Sequence, residues 1–406
     1  MGWMALGCAV TFSQKSRLSM SQDSQKIAIM PDANQGLLPI GLQDQLPPDA
    51  EREAEVLEGI MRMLGSHGFD RVKPPLLEFE QTLLANAPAK LRRRSFRVVD
   101  PLSRETLVLR SDMTGQVGRM AATRLAETTR PLRLSYGGQV VRVTGSDLRP
   151  ERQFTQVGAE IVGVSDGQQS AAILEVAHLA LAGVHNSGIE HVVIDLVVPG
   201  VVNRICTAYD HEVTEDLLSA IAARDAVMLS DFACGECLSS LTQLMSAAGP
   251  WRESLVALGD LLTADDRDRV RELAEALEAA NSSIVITLDP AETRGFEYHD
   301  RLGFVLFAPS VRGELGRGGA YRTAHAEASV GFTLYLDSLV RALGPQTPPR
   351  YVFLPLMHRE DLPQILAQGM RVRLQLNDAK DQDDFRAEAA SMNCHAIWDG
   401  HNAIPL

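Results

Sequence analysis

An amide and an acid that share one side of a strand are the first chemistry this sequence offers. In QFTQVGAEIVG, residues 153–163, the two-residue side-chain period points Thr155, Val157, Ala159 and Ile161 one way and Gln156, Gly158 and Glu160 the other. One face is apolar core and the other a polar groove. A carboxylate and an amide in mid-sheet lose their water, so Glu160 needs a cation, a cluster of N–H groups or an open cleft. A structural ion pair with Arg142, Arg149 or Arg152 would meet the same need. Upstream, TLVLRSDMTGQ places Val108, Arg110 and Asp112 on one face, and Asp112 stands where a helix N-cap is expected. It can cap and also touch a ligand only if one carboxylate oxygen stays free. Farther on, AETRGFEYHDRLGFVLF sets Arg294 and Tyr298 in a turn ahead of a strand, and GELGRGGAYR reads as a glycine-rich loop nearby. That loop lacks the Gly-Lys-Ser/Thr ending of a P-loop, so it is weak evidence for phosphate binding.

The other reactive side chains form no recognisable centre. CGEC, with Cys234 and Cys237, has the spacing of a redox or metal pair. It has no second pair and lies in a helical stretch rather than after a strand, so no functional role is expected of it. His67, His178 and His185 are scattered without the HExxH spacing of a zinc enzyme. No protein-bound metal and no cofactor are expected.

The elements that must position these residues follow from periodicity. Val56, Leu57, Ile60, Met61 and Leu64 recur at helical spacing, with Gly65 and Gly68 as the stop. FRVVDPLSRETLVLR reads as two strands about a Pro-Ser turn, followed by a helix near 113–126. Strands are expected near 132–143, 153–163 and 191–198, with a helix near 168–186. Strands outnumber crossovers, which predicts a mostly antiparallel sheet. Residues 200–282 are rich in alanine and leucine and read as a helical insertion. SIVITL and LGFVLFAP return to strand, and SVGFTLYLDSLVRAL, 329–343, begins as a small-residue turn that runs into an apolar helix. GPQTPPR, 344–350, links to a short C-terminal segment ending at 406.

Composition narrows the function. The chain has 406 residues and 45% apolar content, enough for one large domain and an appended one. Its formal charge of −13 opposes binding to phosphate backbones over most of the surface. Five cysteines are an odd number and too sparse for a secreted disulfide framework, which points to a reducing cytoplasm. No apolar run reaches the roughly 20 residues of a membrane helix. The start lacks a charged leader before its short apolar run, so no signal peptide is expected, and residues 1–30 read as a loose tail.

Three ordered segments carry a resemblance that covers residues 36–343. LLPIGLQDQLP with the helix after it and DRVKPPLLE resembles the dimer-forming first motif of a class II aminoacyl-tRNA synthetase of the histidyl type. LSYGGQVVRVTGSDLRPERQFTQVGAEIVG resembles the second motif, and SVGFTLYLDSLV the third. The fold class this implies is α+β, a class II synthetase-like core with helices flanking the sheet. Ser338, beside Asp337, stands where a histidyl synthetase has an arginine that contacts ATP phosphates. A charge-assisted hydrogen bond of that kind contributes on the order of 1.5–3 kcal/mol. RSDMTGQ replaces Arg-Pro-Glu-Gly-Thr, so Asp112 stands for the longer acid that grips the amino group of histidine.

These departures resemble the ATP phosphoribosyltransferase regulatory subunits, synthetase paralogues of histidine biosynthesis. The resemblance implies a subunit without chemistry of its own, a short-form catalytic subunit as its partner, a dimer within a heteromultimer, and L-histidine as effector. It maps a histidine pocket onto Asp112, Gln156, Glu160, Arg294 and Tyr298, and it makes Arg142 and Arg152 vestigial nucleotide-facing residues. The tail after 343 is too short and acidic for a complete anticodon-binding domain, so tRNA is not an expected partner. Acids for an ammonium or imidazole, an amide to orient it and an arginine for a carboxylate suit a zwitterionic amino acid with a polar ring. A histidyl-tRNA synthetase with a reduced tail, or a stand-alone amino-acid-binding adaptor, stays open on the same fold.

Overall fold

The computed structural model describes residues 37–84, 89–145, 150–292, 299–345, 349–377 and 382–406. The expected loose tail, Arg149, Arg294 and Tyr298 lie outside those residues. Residues 41–406 form one unit, separate from the segment 1–40.

The apolar stripe read from Val56 to Leu64 is the inner face of a helix, Asp49–Ser66, which buries Val56, Ile60, Met61 and Leu64. Gly68, at φ +80°, turns the chain out of it. Each fully buried aliphatic side chain there contributes about 1.5–3 kcal/mol relative to exposure. The helix packs on a nine-stranded sheet with the spatial order Asp70–Arg71, Leu132–Val141, Gln153–Val162, Ala328–Tyr335, Gly316–Arg322, His299–Phe307, Val193–Val197, Val285–Leu288, Gly249–Pro250. Only the pairs Asp70–Arg71 with Leu132–Val141 and Val193–Val197 with Val285–Leu288 are parallel in it. The sheet is therefore mostly antiparallel, as the count of strands against crossovers implies.

One sheet face carries the larger core cluster, and the other packs Val117, Leu134, Tyr136 and Phe154 in a smaller one. Val157, Ala159 and Ile161 join Ile60 and Leu64 from the first helix and Val176, Ala180 and Val184 from the helix Gln169–Asn186 in one cluster. The stretch after Gly200 is helical apart from the short strand Gly249–Pro250, with helices at Val201–Ala208, Glu215–Ala223, Ala226–Leu229, Gly235–Ser246, Trp251–Leu258 and Ala264–Ala280. Ile205, Leu217, Leu241 and Leu273 carry it into that same core. Its helix starts are capped where the sequence supplies hydroxyls: Thr263 and Asp266 close a reciprocal capping box. Cys206 and Cys237 lie inside this core, where burial raises both thiols. Neither has the exposed, electropositive surroundings of a reactive cysteine.

Two readings of the sequence are corrected. GELGRGGAYR is not a loop, because Gly316–Arg322 is an interior strand paired on both sides. Its glycines allow close approach: a Cβ on Gly318 would lie 2.5 Å from the Phe304 ring and 2.7 Å from the Gly331 carbonyl oxygen. SVGFTLY is not a turn either. Ala328–Tyr335 is a strand between Gln153–Val162 and Gly316–Arg322, and the helix starts only at Leu336.

Two small sheets complete the described chain. Leu77–Phe79, Thr106–Leu109 and Arg97–Val99 form an antiparallel sheet that leads into the helix Thr114–Thr123. Tyr351–Leu354, Arg371–Leu374, Ala396–Trp398 and Ala403–Pro405 form a C-terminal sheet, whose Trp398 indole donates to Asp361 at 2.9 Å. No helix among the described residues is long and apolar enough to cross a membrane.

Candidate functional site

Register decides which polar side chains meet. Antiparallel pairing sets Tyr136 opposite Gly158, Gly158 opposite Thr333, and Glu160 opposite Gly331, so these positions share the sheet face away from the core. Tyr321 joins them from the next strand. The Tyr136 hydroxyl donates to Glu160 Oε1 at 3.0 Å and the Tyr321 hydroxyl to Oε2 at 2.8 Å. Thr333 and Thr114 hydroxyls contact the Tyr136 oxygen at 2.8 and 3.2 Å. Glu160 is 1% exposed.

No arginine pairs with Glu160 among the described residues. Arg142 lies over the Phe154 ring and Arg152 over Phe96, at 4.8 and 5.0 Å from the ring centroids. Burial therefore dominates and pushes the Glu160 carboxyl up to about 8, a rise to which Asp112 adds and which the tyrosine hydrogen bonds oppose. At neutral pH the free site mostly holds a proton on Glu160, and one of the two tyrosine oxygens then accepts from the carboxyl instead of donating to it. The unfolded chain protonates this side chain near its ordinary value of about 4.3. Stability carried by the protonated form is thus complete below that value and is lost as pH rises through about 8. Glu160→Gln is expected to leave the melting temperature little changed at pH 5 and to raise it at pH 9, as scanning calorimetry at the two pH values would show.

Gly331 makes room for this arrangement, because a Cβ there would overlap Glu160 Oε2. Gly331→Ala is expected to destabilise the fold by about 1–3 kcal/mol, the usual cost of overpacking, in a urea titration.

Gln156 and Asp112 form the second half of the site. Gln156 Nε2 donates to Asp112 Oδ2 at 3.0 Å, and its Oε1 accepts the Met113 N–H at 3.2 Å. Asp112 Oδ1 accepts the Thr114 N–H at 2.8 Å. The residue at the N-cap position itself is Met113. Asp112 thus caps from one position further out, with an amide on its other oxygen. Neither oxygen is free, contrary to the condition set from the sequence, and a ligand would have to use the second lone pair of one of them. Arg110 does not join them: it donates to the Gln139 and Pro74 carbonyls at 2.7 and 3.0 Å. The structure thus brings Asp112, Gln156 and Glu160 together through Thr114 and Tyr136. Tyr136, Tyr321 and Thr333 were not legible beside Glu160, because only strand register places them, and Thr114 reaches them from the first turn of the helix Thr114–Thr123.

At the helix of the third motif, Ser338 is 1% exposed and accepts from Arg341 at 3.2 Å. Arg341 is also held by Asp337 at 3.2 Å and Glu151 at 2.5 Å. The cation of this helix is tied to Asp337 of the same helix and to Glu151, just before the strand Gln153–Val162.

Comparison with known proteins identifies the family. The histidyl-tRNA synthetase family profile matches residues 41–339. A protein of Rhodospirillum centenum is 43% identical over 375 residues, covering 90% of this chain and 95% of that protein, and is an ATP phosphoribosyltransferase regulatory subunit. This chain belongs to the ATP phosphoribosyltransferase regulatory subunit family. A regulatory subunit of Paramagnetospirillum magneticum is also 43% identical, over 84% of this chain and 89% of its own length. Among solved structures, one from Bacillus halodurans described as an ATP phosphoribosyltransferase regulatory subunit/histidyl-tRNA synthetase superposes with a TM-score of 0.74 at 23% identity. It covers 91% of this chain and 99% of that one. That likeness establishes the class II synthetase-like fold for this member of the regulatory-subunit family.

Proposed function

We propose that Asp112, Gln156 and Glu160 form a histidine-sensing pocket in a regulatory subunit that does no synthetase chemistry of its own. The observation that carries this reading is a buried carboxyl clamped by two tyrosine hydroxyls with no arginine paired to it among the described residues. A site of that kind is completed by an incoming nitrogen base rather than by the protein's own cations. The imidazole meets Glu160 and the ammonium meets Asp112, which Gln156 holds in place. Arg294 and Tyr298, assigned by the resemblance alone, take the carboxylate end.

The absence of amino-acid activation rests on Ser338 in place of the third-motif arginine, and on the engagement of Arg341 with Asp337 and Glu151. Arg142 and Arg152, stacked on Phe154 and Phe96, are vestiges of nucleotide binding in this reading. The partner is a short-form ATP phosphoribosyltransferase catalytic subunit, and the place is the cytoplasm. The core, expected over 31–343, is taken from Gly41, where the second unit begins, to residue 343 with its insertion at 200–282, and 344–406 is a linker and C-terminal segment. A dimer forms through the first-motif region. The small sheet that adjoins this region at Leu77 carries an apolar row of Phe79, Leu107 and Val98, and Leu77, Phe79 and Val98 are 39%, 41% and 47% exposed.

Titration calorimetry with L-histidine tests the pocket. Asp112→Ala is expected to weaken binding by about 1.5–3 kcal/mol, the loss of a charged hydrogen-bond partner. Unchanged affinity in this variant and in a Glu160 variant would move the site elsewhere.

A further inference from the structure

Behind the pocket, on the opposite face of the same sheet, a cavity of about 200 Å³ opens between the helices Gln169–Asn186 and Ala264–Ala280 and the strands His299–Phe307 and Gly316–Arg322. Ala320, on its wall, belongs to the apolar core, while its neighbour Tyr321 points the other way and donates to Glu160. The walls are apolar at Ile173, Leu273 and Leu302 and polar at Gln169, Arg269 and Arg301.

Gln169 is the unusual member of this set. It is 8% exposed, and its Nε2 donates to Asp166 Oδ1 at 3.3 Å, the oxygen that Arg301 also approaches at 3.5 Å. This contact fixes the amide orientation, because the reversed amide would set an oxygen against a carboxylate. Gln169 Oε1 is left buried without a hydrogen-bond partner. A buried acceptor in that state costs free energy unless a donor reaches it. The two arginines are paired with Asp265 and Asp166, whose side chains are 65% and 86% exposed. Pairs of that kind hold weakly, and water can take over either aspartate if another anion arrives.

We infer that this cavity is a second ligand site, built for a small monocarboxylic acid with an apolar body and one N–H or O–H donor. The donor meets Gln169 Oε1, the body packs on Ile173, Leu273 and Leu302, and the carboxylate faces Arg269 and Arg301. Glu272, also on the wall, disfavours a second negative charge. The site is independent of the histidine pocket and does not require that reading to hold.

Indole-3-acetate carries all three features and serves as the probe, titrated by calorimetry into the full chain with and without saturating L-histidine. Saturable binding of one molecule per chain is expected, unaffected by direct competition from histidine. Gln169→Leu, which removes the orphaned acceptor at similar volume, is expected to weaken the probe roughly three- to tenfold. Arg301→Gln, a second variant with a different fold risk, is expected to weaken it as well. Absence of saturable binding, affinity unchanged in both variants, or competitive displacement by histidine would each overturn the assignment.

Discussion

Glu160→Ala is expected to weaken histidine binding by about 1.5–3 kcal/mol, roughly 10- to 150-fold, because a desolvated ligand nitrogen loses its only acidic neighbour on that side. The pH dependence carries more information than the loss itself. With the Glu160 carboxyl raised to about 8 in the free protein, the site enters pH 7 protonated while the free imidazole, with an ordinary value of about 6.5, is neutral. Binding then shares one proton already present and exchanges none with solvent. Below about pH 6.5 the free imidazole is protonated as well, so binding must release a proton and affinity falls as pH falls. Above about pH 8 the free carboxyl is ionised, binding must take up a proton, and affinity falls as pH rises. A plateau between these limits is expected, with the upper limb absent in Glu160→Gln because the amide does not titrate. Titrations from pH 5.5 to 9 in buffers of different ionisation enthalpy would check both the plateau and the absence of net proton exchange near pH 7. Release of a full proton at pH 7 would instead place the ammonium, not the imidazole, against Glu160.

The double variant Phe79→Asp/Val98→Asp is expected to leave the chain monomeric at micromolar concentration where the wild type forms the proposed dimer. These side chains sit in one cross-strand row with Leu107 on a small sheet whose other face is closed by Val108, which is fully buried. Charges on the outer face leave that inner packing alone. They place carboxylates where an apolar interface must lose its water, a cost that removing one partner of a packed contact does not approach. Sedimentation velocity would read the change, and the circular dichroism of the variant should match that of the wild type. A dimer that persists unchanged would move the interface away from the small sheet beside the first-motif region.

The sequence was informative where one side-chain period acts alone. The stripe from Val56 to Leu64 could only be one face of a helix, and the alternation of Gln156 and Glu160 with Val157, Ala159 and Ile161 separated the polar side chains from the larger core before any neighbour was known. It was silent where partners come from other strands. Tyr136 and Tyr321 lie 24 and 161 residues from Glu160, and nothing local to either says that their hydroxyls meet its two oxygens. Glycine misled in a consistent way. Gly316, Gly318 and Gly319 look like loop residues, yet Gly316 and Gly318 serve interior strand packing that leaves no room for a Cβ. Gly331, read as part of a turn, sits opposite Glu160 and admits its carboxyl. Arg110 shows the limit of alternation, because a side chain at the end of a strand turned to neighbouring carbonyls rather than along the expected face.

The most direct test of the central claim is phosphoribosyl-ATP formation by the short-form catalytic subunit, measured with and without this chain across a histidine titration. Activity that requires the chain and falls as histidine rises, with the half-inhibitory concentration shifted upward by Asp112→Ala, is the predicted result. Activity indifferent to the chain, or inhibition by histidine unchanged in that variant, would contradict it.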